Sequence, residues 1–404
     1  MPKKLFISPM DRKSFVLFSS NFFANLSFFS MLAILTLYFT NSCGFSLKFS
    51  GIFMFFVLVF SRVGRIILLP LLKHYASKTA LIISALLMSI GYFIIALSKI
   101  KIVMLLAFFA MGLGYGCNSV YVRSLIGTAN NTNKLLYVQL SIVTNLSAAI
   151  GSLLAVCVFT HVGGEYVFLY SALMMLISAF IIYSKLHLEE YPISNVNMLQ
   201  AIGFILRKPG VFWIFILTIL SWIMYVQIFS VLPLLLNRQL GATQFLGSLY
   251  ATNTAMITLF SMSINKYLLK FQMDAYQFII SGFIFIGAGF LLLYLMPIIA
   301  TAYLSMVLWT LGEILIIPSL SSSLSELTRG SERLNVFAFN GVAIGLGEGV
   351  GMYLGTTLVE LQPALQTSRV YLFLSLMTLI FLGVLMIFKT GHLFKAELTE
   401  SIKI

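Results

Sequence analysis

Long apolar blocks alternate with short polar breaks along this chain, and that rhythm leaves few ways to fold. A helix needs about 20 apolar residues to cross a hydrocarbon core, and twelve blocks reach that length. They lie at about residues 14–40, 49–72, 79–98, 102–126, 135–160 and 165–186, then at 210–236, 244–269, 275–296, 300–326, 334–361 and 368–390. Charged residues make up only 9% of the total, where a water-soluble chain carries about a quarter. Backbone groups in lipid must be satisfied within their own segment, so such blocks form helices. The sequence predicts an all-α membrane protein of 12 transmembrane helices in two pseudo-symmetric six-helix bundles.

The longest polar interval runs from Lys185 to Gly210 and divides the two sets. It reads as a cytoplasmic linker with a short amphipathic helix. The chain is therefore expected to comprise an N-terminal bundle (1–186), a linker (187–209) and a C-terminal bundle (210–404). The other connections are short and leave no room for a soluble catalytic or nucleic-acid-binding domain, so function has to sit within the helices.

Placing both termini in the cytoplasm puts 17 of the 25 bases inside and 5 outside, with 3 within helices, the asymmetry that sets orientation. The segment after MPKKLFISPMDRK is long and lacks a small-residue cleavage site, so it reads as a first transmembrane helix rather than a signal peptide. The net charge of +13 comes from bases scattered at membrane edges, where they meet anionic headgroups; a nucleic-acid partner is not expected. Cys43, Cys117 and Cys157 form no spaced motif, and the four histidines fall at helix ends or in loops. Asp11 and Asp274 are the two aspartates, too few and too peripheral for a membrane prenyltransferase metal site. No metal, cofactor or enzymatic activity is expected, and the chain is read as a monomer.

Ionisable residues inside a bilayer cost about 2.5–3.5 kcal/mol on insertion scales and so mark polar cavities and pathways. Arg62 and Arg65, three apart in FSRVGRIILLP, share one helix face. Arg62 lies about 15 Å of helix rise from Lys73, too deep to reach the headgroups comfortably. It lines a cavity or forms a buried pair. Arg123 is a cavity base or an interfacial anchor. Glu313, in VLWTLGEILIIPSLSSSLSEL, stands between Gly312 and Pro318, and a helix weakened on both sides presents its carboxylate at mid-depth. Such a group can exchange a proton for a solute, or be a constant structural pair. Glu348, in GVAIGLGEGVGMYLG, sits among Gly345, Gly347, Gly349 and Gly351, expected to make one helix face almost pure backbone. It is a second coupling carboxylate or a packing residue. Asn21, Asn25, Asn118, Gln139, Asn145, Tyr225, Gln227 and Asn253 fill out a plausible lining, with Trp222 available for stacking. These positions describe a cavity with bases on its N-terminal wall and acids on its C-terminal wall.

Gly151 and Gly351 lie 200 residues apart, and Gly114 and Gly312 lie 198 apart, a weak internal repeat. Parallel halves with a midplane site are an established transporter plan. On GLGYGCNSVYVRS, LGEILIIPSLSSSLSEL and NGVAIGLGEGVGMYLG, the chain resembles the major facilitator superfamily. The likeness is to its drug:proton antiporter-1 group, which includes multidrug exporters of the MdtH type, and it covers essentially the whole chain. The resemblance implies gating at the loop LLKHYASKTAL, where Lys73 replaces the usual aspartate and Lys78 keeps the terminal base. It also implies gating at Gly151, left without the group's proline, and at its partner Gly351. Ser20 or Asn21 stands where those exporters carry an acid. NFFANLSFFSMLAILTLYFTNSCGFS and the Gly312-Glu313-Pro318 pattern are also similar to proton-coupled oligopeptide transporters, in which the glutamate contacts the substrate amine. Asn21 and Asn25 replace that family's proton-handling pair.

The expectation is a secondary transporter of the bacterial inner membrane that exports a small organic solute by alternating access. Protons couple through Glu313 and Glu348, and solute meets Arg62, Arg123 and the polar lining. Transport of a siderophore or polycarboxylate, or of an amino acid or peptide, is the alternative; a non-transporting sensor is a further one.

Overall fold

The computed structural model describes residues 12–72, 74–127, 133–186, 198–268, 275–328 and 330–390. They form α1 (Arg12–Leu37), α2 (Leu47–Leu72), α3 (Ser77–Leu97), α4 (Lys101–Gly127), α5 (Asn133–His161), α6 (Gly164–Lys185) and α7 (Met198–Arg207). There follow α8 (Pro209–Tyr225), α9 (Gln227–Leu234), α10 (Leu246–Leu268), α11 (Ala275–Leu295), α12 (Ile299–Glu326), α13 (Gly330–Glu360) and α14 (Arg369–Thr390). Among the described residues, 11 spans are long and apolar enough to cross a membrane. The block expected at about 244–269 is the 23-residue α10. The protein is thus an all-helical, multi-pass membrane protein, and the short helix expected in the linker is α7.

Contacts group the chain into two compact units, Met1–Met31 with Val63–Ser194 and Leu32–Arg62 with Asn195–Ile404. The second unit takes in the end of α1 and the start of α2, for identifiable reasons. Pro233 in α9 cannot donate to the Phe229 carbonyl one turn back, and the Thr36 hydroxyl donates to that oxygen instead, at 2.7 Å. Further along, the Lys48 backbone N–H donates to Glu360 Oε2 at 2.6 Å.

The block expected at 210–236 is broken at Val226. Gln227 closes the break, its fully buried amide donating to the carbonyls of Ile223 at 2.7 Å and Gly351 at 3.0 Å.

Within each unit the same close approaches recur. In the first, a Cβ on Gly114 would collide with the Ser84 carbonyl, and one on Gly91 would lie 2.7 Å from that of Ala107. In the second, a Cβ on Gly312 would lie 2.7 Å from the Gly282 carbonyl and one on Gly289 3.2 Å from that of Ser305. All four pairs of counterparts are 198 residues apart. Likewise a Cβ on Gly151 would lie 2.6 Å from the Leu26 carbonyl, and one on Gly351 2.8 Å from that of Ile223.

A matching pair of helix ends completes the repeat. A π turn at Tyr38–Ser42 follows α1, and another at Leu235–Gln239 follows α9. Each is closed by an i→i−5 bond, Cys43 N–H to Tyr38 O at 3.0 Å and Leu240 N–H to Leu235 O at 3.1 Å. Each then reverses at a left-handed glycine, Gly44 (φ 67°) and Gly241 (φ 58°), the conformation that glycine alone adopts without steric cost.

The glycines of α13 correct the expectation of a single bare face. Residues two apart lie on nearly opposite sides of a helix, whereas those four apart share one. Gly345 and Gly349 accordingly face α2 at Arg62 and Phe55, while Gly347 and Gly351 face α8 at Ile219 and Ile223. The helix is thinned on two sides, and both are filled by neighbours.

Candidate functional site

The second unit brings three ionisable side chains, Arg62, Glu313 and Glu348, near one another. Arg62 on α2 grips Glu348 on α13 through two parallel bonds, Nε to Oε2 at 3.0 Å and Nη2 to Oε1 at 2.5 Å. The missing side chain of Gly345 makes room, since a Cβ there would lie 2.8 Å from the Arg62 stem. Glu348 is 5% exposed, and the Arg62 guanidinium also lies over the Trp222 ring, 5.9 Å from its centroid. A buried carboxylate held bidentately in this way is neutralised within the protein.

Glu313 on α12 is held differently. Asn253 of α10 donates to its Oε2 at 3.0 Å and to the Thr310 hydroxyl at 3.0 Å. Thr310, one turn earlier on α12, completes this arrangement by donating to the Met306 carbonyl at 2.7 Å. The Tyr225 hydroxyl of α8 lies near the Glu313 carboxylate and within electrostatic reach of Glu348 as well. Among the described residues, the groups nearest Glu313 are thus neutral. Gly312 beside it serves the contact with α11 described above.

The first unit carries a neutral network at the matching place. Asn21 donates to the Thr144 hydroxyl at 2.8 Å, Asn25 to the carbonyl and side-chain oxygens of Asn21 at 2.8 and 3.0 Å, and Tyr115 to Asn25 Oδ1 at 3.0 Å. Phe28 stacks on Tyr115 with ring centroids 4.0 Å apart. Asn118 donates to the Ser20 hydroxyl at 2.9 Å.

Of the residues predicted from sequence, the structure brings together Arg62, Glu348, Tyr225, Glu313 and Asn253, and separately Asn21 and Asn25. Arg62, expected on a wall opposite the acids, is bound to one of them. Gln227 spends its amide N–H groups on the helix break. Arg123 is exposed, Asn145 is half-buried on α5, and Lys78 lies over the Tyr183 ring at 5.2 Å. Gly151 and Gly351 are points of close helix approach. Lys73 and the Arg65 side chain lie outside the described residues. Sequence reasoning missed Thr310, Thr144 and Tyr115. Hydroxyl groups are so common in these helices that only the neighbours reveal which of them matter. Among the described residues no cluster of His, Cys, Asp and Glu could hold a metal ion, and the three cysteines are free.

A family model described as Major Facilitator Superfamily matches residues 17–352. No curated protein matches the chain. Among solved structures, it is similar to a POT family transporter in complex with 5-aminolevulinic acid (TM-score 0.75, 16% identity, 94% of this chain and 96% of that one). It is similar to a peptide transporter POT in complex with sulfate (0.75, 14%, 94% of each) and to tetrameric PepTSo2 (0.76, 15%, 95% and 98%). At such identities the likeness is one of fold.

Proposed function

This chain belongs to the Major Facilitator Superfamily, and from that premise we propose a proton-coupled secondary transporter that exports a small, amine-bearing organic solute by alternating access. The observation that carries the reading is the difference between the two acids of the cluster. Glu348 has its counter-charge in Arg62, whereas Glu313 is met by the neutral Asn253 and Tyr225. An acid inside a membrane without a basic partner is costly in its charged form, so it favours taking up a proton or a cation. A proton and a protonated amine then compete for one carboxylate, and competition of that kind yields exchange. Asn253 and Tyr225 orient the carboxylate for either ligand, and Trp222 packs edge-on against Tyr225. The Arg62–Glu348 pair keeps the rest of the cluster electrically neutral. With Arg62 engaged by Glu348, the cluster suits an amine better than a polycarboxylate. The chain acts as a monomer in the inner membrane of a bacterium with its termini in the cytoplasm, an orientation supported by the excess of bases there.

A second reading is uptake of an amino acid or short peptide by symport. It draws on the approach of Tyr225 to Glu348 as well as Glu313, which would let proton and amine occupy different acids. Proteoliposomes of the purified protein, given a pH gradient and labelled amines, amino acids and dipeptides, distinguish the readings. Export predicts that protons and solute move in opposite directions, and uptake that they move together. In either case Glu313→Gln should lose gradient-driven accumulation. Undiminished accumulation in that variant would refute the assignment.

A further inference from the structure

The two π turns and the end of α13 border a half-open pocket of about 310 Å³. Its polar lining includes Asn41 of the first turn, Asn237 and Arg238 of the second, and Glu360; Phe45 and Leu234 form an apolar wall. All of these residues belong to the second unit. Along α13, Glu360 lies about 18 Å of helix rise beyond Glu348, so this cavity is separate from the acid cluster described above.

The charges lining it are not spent on one another. Arg238 makes no ion pair or hydrogen bond among the described residues, and its Nη1 is buried without a partner. Glu360 receives the backbone N–H of Lys48 on Oε2, and among the described residues it has no counter-ion. Across the cavity Asn41 Nδ2 and Asn237 Oδ1 stand 3.5 Å apart, at the outer limit of a hydrogen bond.

An unpaired guanidinium and an unpaired carboxylate in one small cavity select against simple ions, because each ion attracted by one group is repelled by the other. A molecule bearing both charges satisfies both. The volume lies in the range of small-ligand pockets, and the apolar wall suits an aliphatic side chain. We propose that this cavity binds a free α-amino acid with an apolar side chain, its carboxylate toward Arg238 and its ammonium toward Glu360. The proposal does not rest on Glu313 or on transport.

Ser46 also lines the cavity and is exposed, which allows a direct test. In a background with Cys43→Ser and Cys157→Ser, a thiol introduced by Ser46→Cys is alkylated with a maleimide in the presence of L-leucine, isocaproate or isoamylamine. The expected result is a several-fold slowing by leucine and none by the other two at equal concentration. Arg238→Gln and Glu360→Gln should each lose the protection, whereas Glu313→Gln should keep it. Glu360→Gln is a conservative change at an exposed position, and an unaltered melting temperature and ligand-free alkylation rate establish that it is folded. Absence of protection by leucine would overturn the proposal, as would protection that survives Glu360→Gln. Equal protection by isocaproate would replace it with a plain anion site.

Discussion

The two six-helix sets share a backbone plan and differ in what they bury on it. Gly114 and Gly312 admit carbonyls from residues at the same offset, yet the residue that follows is Tyr115 in one set and Glu313 in the other. Phe28 stacks on Tyr115; its counterpart 197 residues on, Tyr225, lies near Glu313. The first set holds amides and hydroxyls that satisfy one another. Within the second, Glu348 is paired with arginine and Glu313, among the described residues, is not. Chemistry has been varied while the close contacts that fix the helices were kept, and sensitivity to substitution should follow the same division.

The largest test removes a partner from the ion pair. Glu348→Ala leaves the Arg62 guanidinium without its counter-charge, and stability should fall by about 3–5 kcal/mol in thermal unfolding of the detergent-solubilised protein. Arg62→Met with Glu348→Leu should recover most of the loss. If the single variant is near neutral, the second set is no more demanding than the first. Next come the shared contacts. Gly114→Ala and Gly312→Ala should each cost about 1–3 kcal/mol through overpacking against backbone that cannot yield. The two losses should be similar, and a large inequality would break the equivalence of the sets. The smallest test compares hydroxyls. Tyr115→Phe should cost about 1 kcal/mol of stability and leave the pH profile of transport unchanged. Tyr225→Phe should shift that profile, because its hydroxyl acts on the acid assigned to the proton.

Much of the fold was legible because hydrocarbon imposes one length and one composition on every crossing. Eleven of the expected blocks meet those criteria among the described residues, and the remaining one is α10. The interruption at Val226 was not legible, since no local signal stands there; Pro233, which is visible, lies two turns later. The acids were visible because any ionisable residue stands out in such surroundings. Their partners were not: Arg62 and Glu348 are 286 residues apart, and no spacing rule joins helices that meet only in three dimensions. The four alternating glycines of α13 misled for a geometric reason, as a stride of two walks around a helix instead of along one side of it.

Pro233 leaves the Phe229 oxygen to the hydroxyl of Thr36, a residue almost 200 positions upstream. Inside a bilayer there is no solvent to take over that duty. A valine at position 36 would preserve the shape of the side chain and still leave a thirsty oxygen, so the damage would be one of wetting rather than of fit. Any rearrangement that draws Thr36 away must bring a water molecule or another hydroxyl into its place, which makes the entry of moisture at this one spot a marker of motion there.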